Sequence, residues 1–441
     1  MGRSPVHARE PVNYELSQNE NMNSEIQNIC LSGKGIFSSG NCQIEKFFTV
    51  QREFSYTVFS VQEDETKEAF SSQFNISELW SLSGQLEDGR DIFAGQLMTA
   101  KTGGIDSYTE FTPLASVVIG QSSPLPLSEV QYPLVGMFDG EFSIEDSGWT
   151  IEVLKSNIDA SYAKRKSKAW RLPLEGLTLR LKKANSTLDE YHEKAREIML
   201  LLSLATGNGV TSHRQIAYLD NQQTMEVWHK FTGDDFGPGA IVPDFKLGKF
   251  LGEVLPAWRL WEQDKKSQAR LAIIYINLSG TGYLDTRIFQ ISQAWEFLAA
   301  SWIPKGKPNS TECDLKKRIL ASYREWKKVH PDADPNGNWG GRITFPFKWP
   351  IAKRQIEALA ENASIDLSKI GLDLEALKKI RDSVAHSCQM SLAQKKDNYQ
   401  LLSAAQFGLQ LLLLANLGYS GLVATANEGW KTYVPISNFF K

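Results

Sequence analysis

Arg381-Asp382-Ser383-Val384-Ala385-His386 is the stretch of this sequence whose residue types and spacing could do chemistry. It joins a permanent cation to the side chain that titrates nearest neutral pH, in a chain with six histidines in all. Arg presents a planar fork of donors to a phosphate, and His takes or gives a proton at physiological pH. Together they suit metal-free RNA cleavage. The 2'-hydroxyl attacks its own phosphate, His386 moves the proton, and Arg381 stabilises charge on the phosphorane oxygens. On one helix, residues five apart point about 140° away from each other. Arg381 and His386 therefore converge on one phosphate only if the helix ends between them or a second copy contributes. Asp382 shares a face with His386 and can fix its tautomer, and Ser383 lies within reach three positions back. This geometry favours a two-fold dimer whose paired motifs line one cleft.

The elements that must position the motif are helical. Leu374, Leu377, Ile380 and Val384 recur on one face of a predicted helix over about 373–386, whose other side carries Lys378 and Lys379. Ile288, Ile291, Trp295, Leu298 and Trp302 predict a helix over about 285–302, and Glu296 on it could orient Arg381 or the substrate. Further helices are expected over about 314–328, from near Pro350, and over about 399–417. The last is nearly all apolar and reads as the centre of a bundle. Upstream, Thr187 and Glu190 form a capping box for a helix that Gly207 should end.

The first third has a different texture. Runs such as Phe47–Val50, Tyr56–Phe59, Ala115–Ile119 and Trp149–Leu154 are aromatic or β-branched. Turn residues such as Asp88-Gly89 and Asp139-Gly140 separate them. The expected fold is α+β, with an antiparallel N-terminal domain, sandwich-like or else a barrel, followed by an all-α bundle. The organisation read from the sequence is a disordered tail over 1–25, a β-rich sensor domain over 26–155 and a mixed connector over 156–265. The bundle then covers 266–425, and a C-terminal tail 426–441. In the connector, Lys164, Arg165, Lys168 and Trp170 could bind an RNA backbone and stack a base, as could Lys378 and Lys379 along it. Such runs are more often solvated links. Residues 208–265 carry no readable pattern.

Composition narrows the classes. Hydrophobic content of 42% and charged content of 22% describe a globular chain, and a net charge of -3 argues against wholesale coating of a polyanion. The four cysteines, Cys30, Cys42, Cys313 and Cys388, form no zinc pattern and read as reduced thiols of a cytoplasmic protein. The N-terminal residues lack the apolar core of a signal peptide, and the run Leu409–Leu417 is too short to span a bilayer. Gly33-Lys34-Gly35 lacks the other parts of a P-loop, and no dinucleotide fingerprint is present. No metal or cofactor is expected. Glu141 and Asp146 could be read as a glycosidase pair, but loop acids at a sheet edge are the simpler reading.

The R-x4-H string closing one helix before a long apolar one resembles the HEPN superfamily of ribonucleases and RNA-binding bundles. Gln293–Leu298 is similar to the first HEPN helix. Leu31-Ser32-Gly33 and Tyr108-Thr109 resemble the N-terminal domain of ApeA-type HEPN anti-phage defence proteins. The HEPN resemblance covers about 266–425. Asp382 departs from the Asn often found after the family's Arg. The resemblance implies a metal-independent endoribonuclease of abortive infection, with Arg381, Asp382 and His386 as catalytic residues. It also implies a phage-derived trigger, a homodimer through the bundle, and tRNA as the first substrate to test. The alternative is a non-catalytic HEPN-like module for RNA binding or dimerisation. A carbohydrate-active β domain is the third.

Overall fold

The computed structural model describes residues 28–39, 42–53, 56–62, 79–102, 108–114, 116–120, 126–135, 140–155, 175–212, 214–220, 222–229, 238–303, 310–334, 339, 352–387, 395–427 and 430–441. They form two compact units, residues 1–120 with 229–231, and residues 121–228 with 232–441. The expected tail over 1–25 and the basic run holding Lys164, Arg165, Lys168 and Trp170 lie outside the described residues.

The first unit is built from β1 (Asn28–Ser39), β2 (Cys42–Glu53), β3 (Tyr56–Gln62), β4 (Leu79–Leu86), β5 (Asp91–Thr102), β6 (Tyr108–Pro113) and β7 (Val117–Gly120). The strands run in the order β4-β1-β2-β3-β6-β5, and β4 also pairs with β5, which closes the sheet into an antiparallel barrel. Of the sandwich and the barrel that many short strands favour, the structure has the barrel and not the sandwich-like form: closure leaves those strands no free edge. Two features bend the sheet enough to close. A bulge in β5, where Gly95 and Gln96 stand opposite one residue of β4, puts Gln96 at φ 56°. Where β1 crosses β4, glycines allow the backbones to meet: a Cβ on Gly84 would lie 2.5 Å from the Lys34 carbonyl oxygen. Phe37, Phe48, Phe59, Phe111, Trp80 and Leu82 fill the interior, with Phe37 and Phe111 stacked at 5.2 Å.

The second unit begins earlier in the chain than the sequence suggested. Strands β8 (Leu127–Val135), β9 (Phe142–Asp146) and β10 (Trp149–Lys155) belong to it, so the expected boundary at 155 moves to about 120. They join β11 (Glu175–Ser186), β12 (Arg214–Leu219) and β13 (Gln222–Trp228) in the order β13-β12-β8-β11-β10-β9. The connector expected over 156–265 is therefore largely structural strand and helix. One sheet face is apolar, with Ile151, Val153, Leu179, Leu181 and Tyr132 buried. Helix α1 (Leu188–Thr206) packs on it, with Tyr191 edge-on to Trp149 at 5.0 Å. Its start and stop follow the local sequence: Thr187 and Glu190 complete the capping box, and Gly207 takes the left-handed conformation at φ 59°. On the opposite face Arg180 and Lys182 are paired with Glu129 and Glu152.

The helices that follow are α2 (Leu247–Leu260), α3 (Gln263–Leu278), α4 (Leu284–Trp302), α5 (Ser310–Val329), α6 (Ala352–Asn362), the short α7 (Leu367–Ile370), α8 (Leu374–Ser387) and α9 (Lys395–Asn416). Helix α4 contacts α3, α6, α8 and α9, so it is the hub, a place the sequence had assigned to α9. Helix α9 is nonetheless buried on nearly every side: Leu409 and Leu411–Leu414 are almost inaccessible. Its polar residues grip neighbours. Gln406 donates to the carbonyl and hydroxyl of Ser279, each at 2.8 Å, and Gln410 to the Leu204 carbonyl at 3.3 Å. Trp295 donates to the Ala405 carbonyl at 2.9 Å. The expected tail over 426–441 is part of this fold. β14 (Leu422–Asn427) pairs with β15 (Trp430–Pro435), and the Phe439 carbonyl accepts from the Asp366 amide at 2.9 Å. Among the described residues, no helix is long and apolar enough to cross a membrane.

Candidate functional site

The motif lies on α8, which packs on α4. Asp373 starts α8 by accepting from the amides of Glu375 and Ala376 at 2.9 and 3.0 Å. Leu374 and Leu377 are buried, and Ile380 and Val384 are half-buried, as the periodicity predicts. The helix runs unbroken to Ser387, so it does not end between Arg381 and His386, and positions 381 and 386 keep the ~140° divergence of an α-helix. His386 lies in the helix, but its side chain is outside the described residues.

Arg381 and Glu296 meet across the two helices. Arg381 Nη2 lies 2.5 Å from Glu296 Oε1, and the two side chains are 23% and 27% exposed. Arg381 Nε is buried, sits 3.3 Å from Asp382 Oδ1, and makes no hydrogen bond. Burial pushes the Glu296 carboxyl above its ordinary value. Arg381 opposes that shift, the Asp382 charge adds to it, and Lys378 again opposes it. Around the pair is a narrow cleft of about 20 Å³ lined by Ser292, Lys353, Leu377 and Lys378. That is room for about one water. Within one chain, a nucleotide would meet Arg381 only from outside the cleft.

The structure thus brings Glu296, Arg381, Asp382 and Lys378 together and leaves Lys379 exposed beside them. Ser383 is exposed on the same helix. Sequence reasoning missed Lys353 on α6, which lines the cleft and pairs with Glu375 at 2.9 Å. No local pattern marks it, because it arrives by tertiary packing.

The other acidic pair has a different use. Asp146 is held by Lys194 Nζ at 2.8 Å and by Arg259, and Glu141 accepts from the Lys155 amide at 2.8 Å. Neither carboxylate is a free acid facing its twin. Among the described residues, no group of three or more His, Cys, Asp or Glu side chains is gathered to hold a metal.

No known family, characterised protein or solved structure matches the chain.

Proposed function

We propose that the chain is a metal-independent endoribonuclease of the HEPN type, with Arg381 and His386 as the reacting pair. The observation that carries this is the state of Arg381. Its guanidinium is anchored by Glu296 through Nη2, while the buried Nε lies 3.3 Å from the Asp382 carboxylate and makes no hydrogen bond among the described residues. A phosphate oxygen would approach the part of the Arg381 side chain that stays exposed, 23% of it, and Lys378 at the cleft adds positive charge. His386, five positions on in the same unbroken helix, supplies proton transfer. Asp382, one turn before His386, is spaced to orient the imidazole. The divergence of Arg381 and His386, and a cleft too small for a nucleotide, support an active unit in which two copies of α8 face one RNA. The resemblance to anti-phage proteins makes abortive infection the setting, and tRNA the first substrate to offer.

A second reading rests on the same ion pair. If Arg381 is a strut between α4 and α8, the bundle is a binding or dimerisation module without catalysis. Purified protein incubated with tRNA in EDTA separates the two. Cleavage leaving 2',3'-cyclic phosphate ends is expected, and it should fall ~100- to 10,000-fold in His386→Ala and in Arg381→Ala. Undiminished cleavage by either variant overturns the assignment of Arg381 and His386, and none by the wild type gives the bundle to the second reading.

A further inference from the structure

A second feature of the helical unit lies away from the Arg381 cleft. Strand β9 ends the sheet order, and among the described residues no strand pairs with its outer edge. Its hairpin to β10 turns through Ser147 and Gly148 at φ 52° and 80°, a two-residue turn with both central residues left-handed. The closing pair of such a hairpin, Asp146 and Trp149, is hydrogen-bonded. Antiparallel alternation then turns the amide and carbonyl of Ser143 and of Glu145 outward. Beside this edge runs α2, and between them lies a groove of about 640 Å³ lined by Ser143, Glu141, Asp244, Phe245, Gly252 and Glu253.

Two glycines of α2 face this region, and they differ. A Cβ on Gly248 would stand 2.7 Å from Phe142 Cβ, so that glycine lets helix and strand pack. Among the described residues, a Cβ on Gly252 would meet nothing within 4 Å. Glycine is the poorest helix former after proline, and packing among the described residues gives no reason for it at 252. What it does is keep the groove open. The walls carry three carboxylates, of which Glu253 pairs with Lys249 at 3.5 Å and accepts from the Ser420 amide and Glu141 accepts from the Lys155 amide, while Lys246 stands over the Phe245 ring; three carboxylates against two lysines leave the groove net negative. At one end Phe245 is 68% exposed and sits edge-on to Tyr433.

We propose that this groove binds an extended, basic segment of a partner protein, which adds to β9 as a further strand. Main-chain hydrogen bonds to Ser143 and Glu145 would hold it, and its alternate side chains would be read separately. Lys or Arg would face Glu141, Asp244 and Glu253, and an apolar residue would rest against Phe245.

The test uses the full chain and two labelled octapeptides, one alternating Lys with Val and one alternating Glu with Val, followed by fluorescence anisotropy. The Lys peptide should bind saturably and the Glu peptide should not. Gly252→Leu, which fills the groove, should weaken binding at least ~10-fold without lowering the melting temperature, since leucine favours the helix. Ser143→Pro removes one outward donor while sparing the ladder to β10, and should weaken binding comparably. Lys-peptide binding that is absent in the wild type, or unchanged in Gly252→Leu, overturns the proposal. Wild-type self-association abolished by Gly252→Leu, without peptide binding, would assign the groove to a second copy of the chain and overturn it equally.

Discussion

Replacing Asp146 with Ala removes one carboxylate from the turn of the β9–β10 hairpin, and the surroundings set the size of the effect. Asp146 and Lys194 are 8% and 7% exposed and 2.8 Å apart, and Arg259 takes the other carboxylate oxygen. After the substitution Lys194 keeps Glu197, 3.8 Å away, as a poor substitute. Breaking a buried pair by removing one partner costs about 3–5 kcal/mol, because the other charge is left uncompensated. Arg259 is 38% exposed and can turn to water, so the lower end, about 3 kcal/mol, is expected. For a unit of this size that is a fall of about 6 °C in melting temperature, read by circular dichroism. Lys194→Met in the same chain should recover most of the loss, since the stranded charge goes with it. The pH dependence follows. Burial alone would raise the Asp146 carboxyl, but Lys194 and then Arg259 outweigh it and hold it below 3.8. Its stabilisation is thus complete above that value and is lost as pH falls through the depressed one, a loss Asp146→Ala should not show. An Asp146→Ala protein melting within about 1 °C of wild type would refute the reasoning.

Other expectations concern the motif and the barrel. Burial raises the Glu296 carboxyl above 4.5, so its contribution to stability falls as pH rises from 4.5 through that raised value. Glu296→Gln should remove that slope and gain on wild type across the window, which melting at stepped pH will show; parallel curves would contradict it. Gly84→Ala drives a methyl to 2.5 Å from the Lys34 carbonyl and should cost about 1–3 kcal/mol in urea unfolding of the barrel, and an unchanged midpoint would argue against that crossing. If two copies of α8 share one RNA, mixing His386→Ala with Arg381→Ala chains should restore cleavage that neither has alone. A strictly monomeric active enzyme by light scattering rules the dimer out.

Much of the helical unit was legible because its signals are local. The capping box at Thr187, the left-handed Gly207 and the three-four spacing of Ile288, Ile291, Trp295 and Leu298 each mark an element within a few residues. What failed to show depends on distant partners. Closure of the barrel rests on β4 finding β5 and on glycines whose neighbours lie far along the chain. Helix α2 carries Pro256 in its interior, which hides its periodicity. Of the apolar side chains that read as a surplus for an interface, Phe289, Trp295, Phe407 and Leu411–Leu414, the bundle's own core takes up Trp295 and Leu411–Leu414, while Phe289 and Phe407 are half-buried. The case for a dimer therefore rests mainly on the angle between Arg381 and His386 and on the narrowness of the cleft beside Arg381. For the site, the Arg381 and Glu296 helices and the pairing of those two residues could be read, but the arrival of Lys353 from α6 could not.

The buried glutamines of α9 answer a problem that its leucines create. A helix apolar on almost every side can rotate about its axis and still bury a similar area, so hydrophobic burial alone leaves several packings nearly equal in energy. Gln406 and Gln410 break that degeneracy, because each finds its acceptor, at Ser279 and at Leu204, in one rotational setting. Any other setting strands two amides in a dry core, at about 1–3 kcal/mol each. The two amides index α9, and through the Trp295 bond to Ala405 they also fix the azimuth of α4, from which Glu296 reaches Arg381.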